Sequence, residues 1–172
     1  MIRLGYFGVS IYPNNGVQLE LQGSIVFRGH CHIGNNSFIS VGPKGRLVLG
    51  EGFRASSSLK LVVCYSVLIH DNVLVGWDSI IMDSNFHRLK RLDGKSTGKG
   101  YGSVEIEENV WIGNNVEVTS GSIVPHHSVV QACSLVLKRM EQKPYSIYGG
   151  NPAILVAEGY FYDLNDDVII YQ

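Results

Sequence analysis

A six-residue period of aliphatic residues limits the fold of this chain more than any other feature. The repeating positions are Ile106, Ile112, Val118, Val124, Val130 and Val136, with an earlier register at Ile69, Val75 and Ile81. Weaker matches occur at Ile33, Ile39, Leu49, Ala55 and Leu61. A period of six fits neither a helix nor an isolated alternating strand, but it fits a short strand followed by a two-residue turn. Three such units make one triangular coil, so the sequence predicts an all-β solenoid whose aliphatic side chains stack inwards.

The composition supports this prediction. The chain has 20 valines and 15 isoleucines against 4 alanines, and it has 20 glycines for turns. Branched side chains favour strands, and so little alanine argues against a helical bundle. At 172 residues we expect one domain. Its predicted parts are N-terminal edge coils over 1–32, a regular β-helix over 33–136 with a loop inserted at 87–105, and a C-terminal cap over 137–172.

The charge and cysteine content limit the partners and the compartment. The net charge is −1, so no global field would attract nucleic acid or an anionic membrane. The longest apolar stretch, 61–69, is far shorter than the roughly 20 residues that span a bilayer. Cys31, Cys64 and Cys133 form an odd, scattered set, which is typical of reduced thiols. We therefore expect a cytoplasmic protein with no membrane span and no nucleic-acid partner.

Four short motifs accompany the repeat in a definite order. They are MDSNFH at 82–87, VWIG at 110–113, SLVLK at 134–138 and GGNPA at 149–153. Together with the hexads they resemble the hexapeptide-repeat acyltransferases. More closely, they look like the sugar O- and N-acetyltransferases of capsule and lipopolysaccharide synthesis, and the maltose and galactoside acetyltransferases are relatives of the same type. The resemblance implies a left-handed parallel β-helix and a homotrimer with active sites between subunits. It also implies acetyl-CoA as co-substrate and a sugar or nucleotide-sugar acceptor.

The loop motif supplies the candidate catalytic residues. His87 stands where the repeat stops, and it matches the histidine that serves the family as general base in direct acetyl transfer. Asp83 and Asn85 precede it at two-residue spacing, so in an extended chain all three side chains would share one side. Asp83 or Asn85 could then orient the imidazole or contact the acceptor, or both could be ordinary turn residues. Some relatives add a loop glutamate, but Asp93 is the only acid between His87 and Glu105.

The remaining motifs imply a binding site for coenzyme A. Its candidate residues are Trp111, Gly113, Asn114, Ala132, Lys138, Asn151 and Pro152. By resemblance, Trp111 walls the pantetheine channel, Ala132 exposes a backbone amide to it, and Lys138 meets a phosphate. Arg139 and Lys143 lie close to Lys138 in the sequence, which makes this stretch the best local anion site. Cys133 replaces a common glycine beside Ala132, so the resemblance does not fix the local backbone conformation or the fit of CoA at this position.

Two other functions remain as alternatives. A carbonic anhydrase-like lyase of the same repeat class would need a metal held by three histidines, for example His87 with His126 or His127 of a neighbouring subunit. A non-enzymatic trimeric scaffold would need neither the loop nor the groove motifs. We expect the acetyltransferase, with no bound metal. Trp77 and Trp111 would be costly exposed surface, and this favours a homotrimer.

Overall fold

The computed structural model describes residues 1–6, 11–95, 97–138 and 140–165. Within them, short strands form three sheets, which are the three faces of a triangular prism. Face 1 consists of β1 Ile2–Tyr6, β4 Cys31–Gly34, β7 Phe53–Ala55, β10 Leu74–Val75, β13 Trp111–Ile112, β16 Val129–Val130, β18 Ser146–Gly149 and β19 Ile154–Glu158. Face 2 consists of β2 Val17–Leu21, β5 Ser37–Val41, β8 Lys60–Val63, β11 Ile80–Met82, β14 Glu117–Val118 and β17 Leu135–Val136. Face 3 consists of β3 Ser24–Phe27, β6 Arg46–Leu49, β9 Ser66–Ile69, β12 Val104–Ile106 and β15 Ile123–Val124.

The chain visits faces 1, 2 and 3 in turn, and each strand pairs in parallel with the strand one coil away. Leu74, for example, pairs with Arg54 below it and with Trp111 above it. The result is a β-solenoid of about six turns, as in a left-handed β-helix. No described helix is long and apolar enough to cross a membrane.

The hexad prediction is confirmed by the core. Every aliphatic position of the two strong registers is fully buried, and so are nearly all of the weaker matches. The small or branched fifth positions, such as Val110, Ser122 and Ser128, are buried beside them. Side chains one coil apart therefore stack in continuous columns, which is how strands of two or three residues are held together.

The turns share a left-handed backbone conformation at the fourth hexad position. At the corner between faces 1 and 2 (corner 1/2), these residues have left-handed φ angles: Asn36, Ser58, Asp78, Asn115 and Cys133. At the corner between faces 3 and 1 (corner 3/1), they are Gly52, Asn72, Asn109, His127 and Tyr145. Asparagine and glycine adopt this region easily. Cys133 adopts it too, with φ of 60°, so the cysteine preserves the turn that a glycine would make.

Coils extend on both sides of the segment 33–136 that was predicted as the regular β-helix. β2 and β3 pair in register with the next coil, and β1 pairs with β4 with one irregularity between Leu4 and Tyr6, so coiling starts before residue 33. At the other end, β18 continues face 1 in parallel with β16, and Tyr148 is fully buried in the core column. Among the described strands, only β19 runs antiparallel to its neighbour, and it covers this edge. The coils therefore end near residue 149 rather than 136, because an aromatic ring fills the space that an aliphatic hexad residue fills elsewhere.

The inserted loop is also displaced from its predicted limits. It leaves β11 after Met82 and returns at Val104, which is buried and pairs with Val67. Residues 83–103, hereafter the corner loop, therefore project from the corner between faces 2 and 3 (corner 2/3). The predicted end at 105 was two residues too late, because Val104 already belongs to a core column.

Candidate active site

The base of the corner loop is held by one buried carboxylate. Asp83 is fully buried, and its oxygens accept hydrogen bonds from three successive backbone amides of the coil below: Cys64 at 2.8 Å, Tyr65 at 2.7 Å and Ser66 at 2.7 Å. A buried carboxylate that accepts three amide hydrogen bonds is well compensated for leaving water. Asp83 therefore anchors the loop to corner 2/3.

Above this anchor the two ends of the loop form a narrow neck. Ser84 and Tyr101 form an antiparallel bridge, and the Asn85 amide donates to the Gly100 carbonyl at 2.9 Å. The Gly102 amide donates to the Asp83 carbonyl at 3.0 Å. The Tyr101 ring packs on Tyr65 with 5.1 Å between centroids. The neck thus gives the residues that follow Asn85 a defined position.

His87 lies at the outer end of this neck and is exposed. Its neighbour Phe86 has φ of 58° and a side chain that is 64% exposed. A left-handed aromatic residue is strained, and such strain is concentrated at functional sites. No side-chain hydrogen bond reaches the His87 imidazole from the part of the chain that the structure describes. The ring is therefore free to meet a substrate.

In this structure the Asp83 carboxylate faces backbone amides and not the His87 imidazole. β11 ends at Met82, and the chain turns at Phe86, so the extended alternation that would align Asp83 with His87 is broken. The Asp83 oxygens are occupied by the three amides. Asn85 is exposed, and its carbonyl accepts from the His87 amide at 2.6 Å. Asn85 thus contacts His87 through the backbone and shapes the turn.

Four of the predicted CoA residues lie together at corner 1/2. Trp111, Gly113, Asn114 and Ala132 line one groove of about 610 Å³ on face 1. A Cβ on Gly113 would lie 2.7 Å from the Ala132 nitrogen, so only glycine lets these two coils approach. Trp111 is 40% exposed and contacts the Tyr162 ring at 5.5 Å.

The Ala132 amide points to a binding role for this groove. Ala132 is exposed, and within the described residues its N–H has no acceptor. The neighbouring amides do have partners: Gln131 donates to Tyr148 and Cys133 donates to Asn114. An open amide beside an apolar wall suits the amide carbonyls of an extended ligand.

The other predicted CoA residues lie elsewhere. Asn151 lines a second, smaller cavity on the face 2 side of the same corner, and the exposed Pro152 follows it through a cis peptide bond. Lys138 lies at corner 2/3, where a Cβ on Gly121 would be 3.2 Å from its Cδ. One chain therefore divides the predicted site between two corners, with His87 and Lys138 at one corner and the Trp111 groove at the other.

The anion site predicted around Lys138 is smaller than the sequence suggested. Lys143 is bound to Glu158 at 2.9 Å and to Glu141 at 3.3 Å. The hydrogen bond to Glu158 is the main cause of a raised pKa for this ammonium, and the bond to Glu141 adds to it. Lys143 is therefore already paired. Arg139 lies outside the described residues, and Lys138 remains as an exposed cation with no ion-pair partner among them.

The histidines at corner 3/1 form a separate cluster. Glu108, His126 and His127 place ligand atoms within 4.8 Å of one another. Hydrogen bonds already connect this corner: Asn72 donates to Asn109, Asn109 donates to His127 at 3.2 Å, and the Nδ1 atoms of His127 and His126 are 3.0 Å apart. His87 is on a different corner of the same chain. The three-histidine set of the lyase alternative is therefore not assembled within one chain.

Sequence reasoning missed the residues that build the neck. Ser84 and the strained Phe86 lie within the MDSNFH motif and Tyr101 lies in the insertion, and none of the three occupies an aliphatic position of the hexad repeat. The pairing of Lys143 with Glu158 depends on β19 folding back, and the repeat ends before that strand. A glycine-flanked tyrosine at 101 was the one available hint that the loop returns in an ordered way.

The architecture first defines a class. A parallel β-solenoid with a six-residue period and a structured loop at one corner is a hexapeptide-repeat protein. No family model matches the chain. The galactoside O-acetyltransferase of Escherichia coli K12 is 26% identical over 148 residues, which are 82% of this chain and 70% of that protein. The galactoside O-acetyltransferase of Lactococcus lactis is 32% identical over 128 residues, which are 70% of this chain and 60% of that protein.

Solved structures of acetyltransferases show the same fold. A galactoside acetyltransferase in complex with coenzyme A superposes with a TM-score of 0.54 at 21% identity, over 86% of this chain and 69% of that one. A maltose O-acetyltransferase from Clostridium difficile 630 gives 0.52 at 21% identity, over 81% and 68%. The repeat, the solenoid and these relatives together support a hexapeptide-repeat acetyltransferase.

Proposed function

We propose that this acetyltransferase moves an acetyl group from acetyl-CoA to a hydroxyl or amine of a sugar, with His87 as general base. The observation that carries the proposal is the exposed His87 imidazole at the end of a neck that is hydrogen-bonded to the solenoid. A base must be accessible and held in position, and His87 is both. The sugar class is supported by the galactoside acetyltransferases among the relatives.

The transfer needs a single base. The imidazole takes the proton from the acceptor oxygen or nitrogen as that atom attacks the thioester carbonyl carbon. The tetrahedral intermediate then collapses, the carbon–sulfur bond breaks, and the imidazolium returns the proton to the departing sulfur. The acceptor leaves acetylated and CoA leaves as the free thiol, so no covalent enzyme intermediate is required.

A panel of acceptors tests this function. Release of CoA thiol from acetyl-CoA should rise with at least one sugar, aminosugar or nucleotide sugar, and not with buffer alone. We further propose that the acceptor is a precursor of a surface polysaccharide and that the enzyme works in the cytoplasm. The free thiols of the described cysteines, with Cys31 buried, support a reducing compartment. Turnover with none of the sugars would remove the sugar class.

The groove at corner 1/2 fits the pantetheine arm of CoA. Trp111 provides an apolar wall and Ala132 an open amide, and Gly113 and Asn114 also line the groove. Asn151 and Pro152 continue the same corner towards the end of the solenoid, where the adenine would lie. Lys138 provides an exposed cation for a phosphate.

Lys138→Ala should weaken acetyl-CoA binding by about five- to tenfold, because one charged contact to phosphate is lost. Turnover at saturating acetyl-CoA should change less than twofold. Calorimetric titration with CoA at low and high salt measures this, and the wild-type affinity should fall more steeply with salt. Lys44→Ala, at an exposed turn two coils below the loop, is the matched control. Equal CoA affinity in wild type and Lys138→Ala would place the phosphate elsewhere.

The division of the site between two corners supports a homotrimer. Corner 2/3 with His87 and corner 1/2 with the Trp111 groove are separated by face 2 of the same chain, so a neighbouring copy is needed to bring them together. The corner loop also exposes apolar side chains that a neighbour would cover: Phe86 at 64%, Leu89 at 70% and Leu92 fully. Trp77 and Trp111 remain 39% and 40% exposed in the single chain.

Light scattering at micromolar concentration should therefore give three times the mass of the chain. Leu89→Ser with Leu92→Ser should weaken the assembly, because two apolar contacts are lost without touching the core. Ile11→Ser, which removes an equally exposed apolar side chain outside the loop, is the control. A monomer mass for the active wild-type protein would contradict the shared site.

A further inference from the structure

We propose that the acceptor is an anionic sugar, bound through its negative charge by the basic residues of the corner loop. This inference rests on the acetyl transfer proposed above and specifies its acceptor. Residues 87–99 contain five basic residues and one acidic residue, a net charge of +4 in a chain whose net charge is −1. The basic residues are Arg88, Lys90, Arg91, Lys95 and Lys99. All of them are exposed. Since the loop carries +4 and the whole chain −1, the rest of the chain is net acidic and the loop is its one strongly positive part.

Three of these five cations form no ion pair with a described carboxylate. Arg91 is 3.4 Å from Asp93. Across the described residues, no carboxylate forms an ion pair with Lys90, Lys95 or Lys99. Several exposed like charges on one short loop repel one another. Such a loop is stabilised by an anion bound among them.

The position of the charge points to the acceptor rather than to CoA. The Asn85 amide bonds to Gly100, and a Cβ on Gly100 would lie 3.0 Å from the His87 carbonyl, so the segment that carries Lys99 packs beside His87. The Lys99 ammonium is further placed 5.7 Å from the Tyr101 ring centroid. The reacting end of acetyl-CoA, near the base, is an uncharged thioester. Its phosphates lie at the far end of the pantetheine arm, and Lys138, the cation proposed for them, lies two coils beyond the loop. The anion beside His87 is therefore the acceptor's.

Carboxylate and phosphate groups share this chemistry, and two acceptors separate them. One is a methyl glycoside of sialic acid, which carries a carboxylate, and the other is UDP-glucose, which carries a diphosphate. Methyl galactoside is the neutral reference. For wild-type enzyme, kcat/KM for one anionic acceptor should exceed that for the neutral one by at least about tenfold. It should also fall several-fold between 0.05 and 0.3 M salt, because exposed charges are screened.

Substitutions in the loop should show a gradient. Lys99→Gln should reduce kcat/KM for the anionic acceptor about tenfold, and Lys95→Gln, at the loop tip, about two- to threefold. Lys99→Arg should restore most of the loss. Arg28→Gln, which removes an exposed charge at corner 3/1, is the matched control and should change kcat/KM for the anionic acceptor less than twofold. The apparent KM for acetyl-CoA should stay constant in all four variants.

Three results would overturn the inference. A neutral acceptor used as well as the anionic ones, or a loss of acetyl-CoA affinity in Lys99→Gln with unchanged acceptor use, would each do so. A Lys99→Gln protein that dissociates in light scattering would show that the charge serves the subunit contact instead. Failure of the proposed function looks different, because then no acceptor of any charge would release CoA thiol.

Discussion

His87→Ala should lower turnover by at least about two orders of magnitude at saturating acetyl-CoA and acceptor. General-base assistance is typically worth about 10²–10⁴-fold, and a sugar hydroxyl is a poor nucleophile while it keeps its proton. The side chain is exposed and has no hydrogen-bond partner in the described structure, so its removal should leave the free energy of unfolding unchanged within about 0.5 kcal/mol. Steady-state rates of thiol release measure the first effect, and urea unfolding measures the second.

The variants around His87 separate base catalysis from space filling. His87→Asn should be nearly as inactive as the alanine variant, since an amide occupies the space but cannot accept the proton. Calorimetric affinity for acetyl-CoA should be retained in both, because the imidazole is not among the groups that line the Trp111 groove. His30→Ala removes an exposed histidine that is paired only with Glu51, and it should keep full activity. A His87→Ala enzyme with a tenth or more of wild-type turnover would end the general-base proposal.

The period of six predicted the core accurately because the inward direction of each hexad side chain is set by the local strand and turn geometry. Ile112 or Val118 must point inwards if a two-residue turn follows a short strand. The same inward orientation then recurs in every stacked coil. Even the weak matches at Ile33 and Leu49 are fully buried. The pattern fails where a different residue type does the same packing. The period passes through the exposed Gln142 and arrives at Tyr148, whose ring fills the column without an aliphatic signature.

The site was less predictable than the core, for a physical reason. His87 could be named because a motif marks it, but its neighbours depend on contacts between distant segments. Asp83 bonds to amides 17 to 19 residues earlier in the chain, on the coil below. The alternation that placed Asp83 beside His87 assumed an extended chain, and the turn at Phe86 removes that assumption. The groove needs Gly113 and Ala132 on adjacent coils, and the motifs predicted this pair because both lie in the regular repeat.

Asp83→Ala should destabilise the protein by at least about 3 kcal/mol, the largest stability effect we expect from a single loop residue. Three amides would lose a charged acceptor in a buried position, and hydrogen bonds to charged groups are worth about 1.5–3 kcal/mol each. Asp83→Asn keeps one acceptor oxygen but points an NH₂ group at the remaining donors, so it should cost about 2 kcal/mol. Urea unfolding measures both. Asp93→Ala, at the exposed loop tip, should stay within about 0.5 kcal/mol.

The same variants decide between anchoring and catalysis for Asp83. If the carboxylate anchors the loop, turnover in Asp83→Asn should fall together with protection of the amides of Cys64, Tyr65 and Ser66 from hydrogen exchange, because the neck above them loosens. Acetyl-CoA binding in the corner 1/2 groove should persist, since that groove is built from other coils. A carboxylate that oriented the imidazole would behave differently, with turnover lost while unfolding free energy and amide protection stayed at wild-type values. That outcome would show that Asp83 acts by orienting the His87 imidazole, and it would contradict the anchoring role.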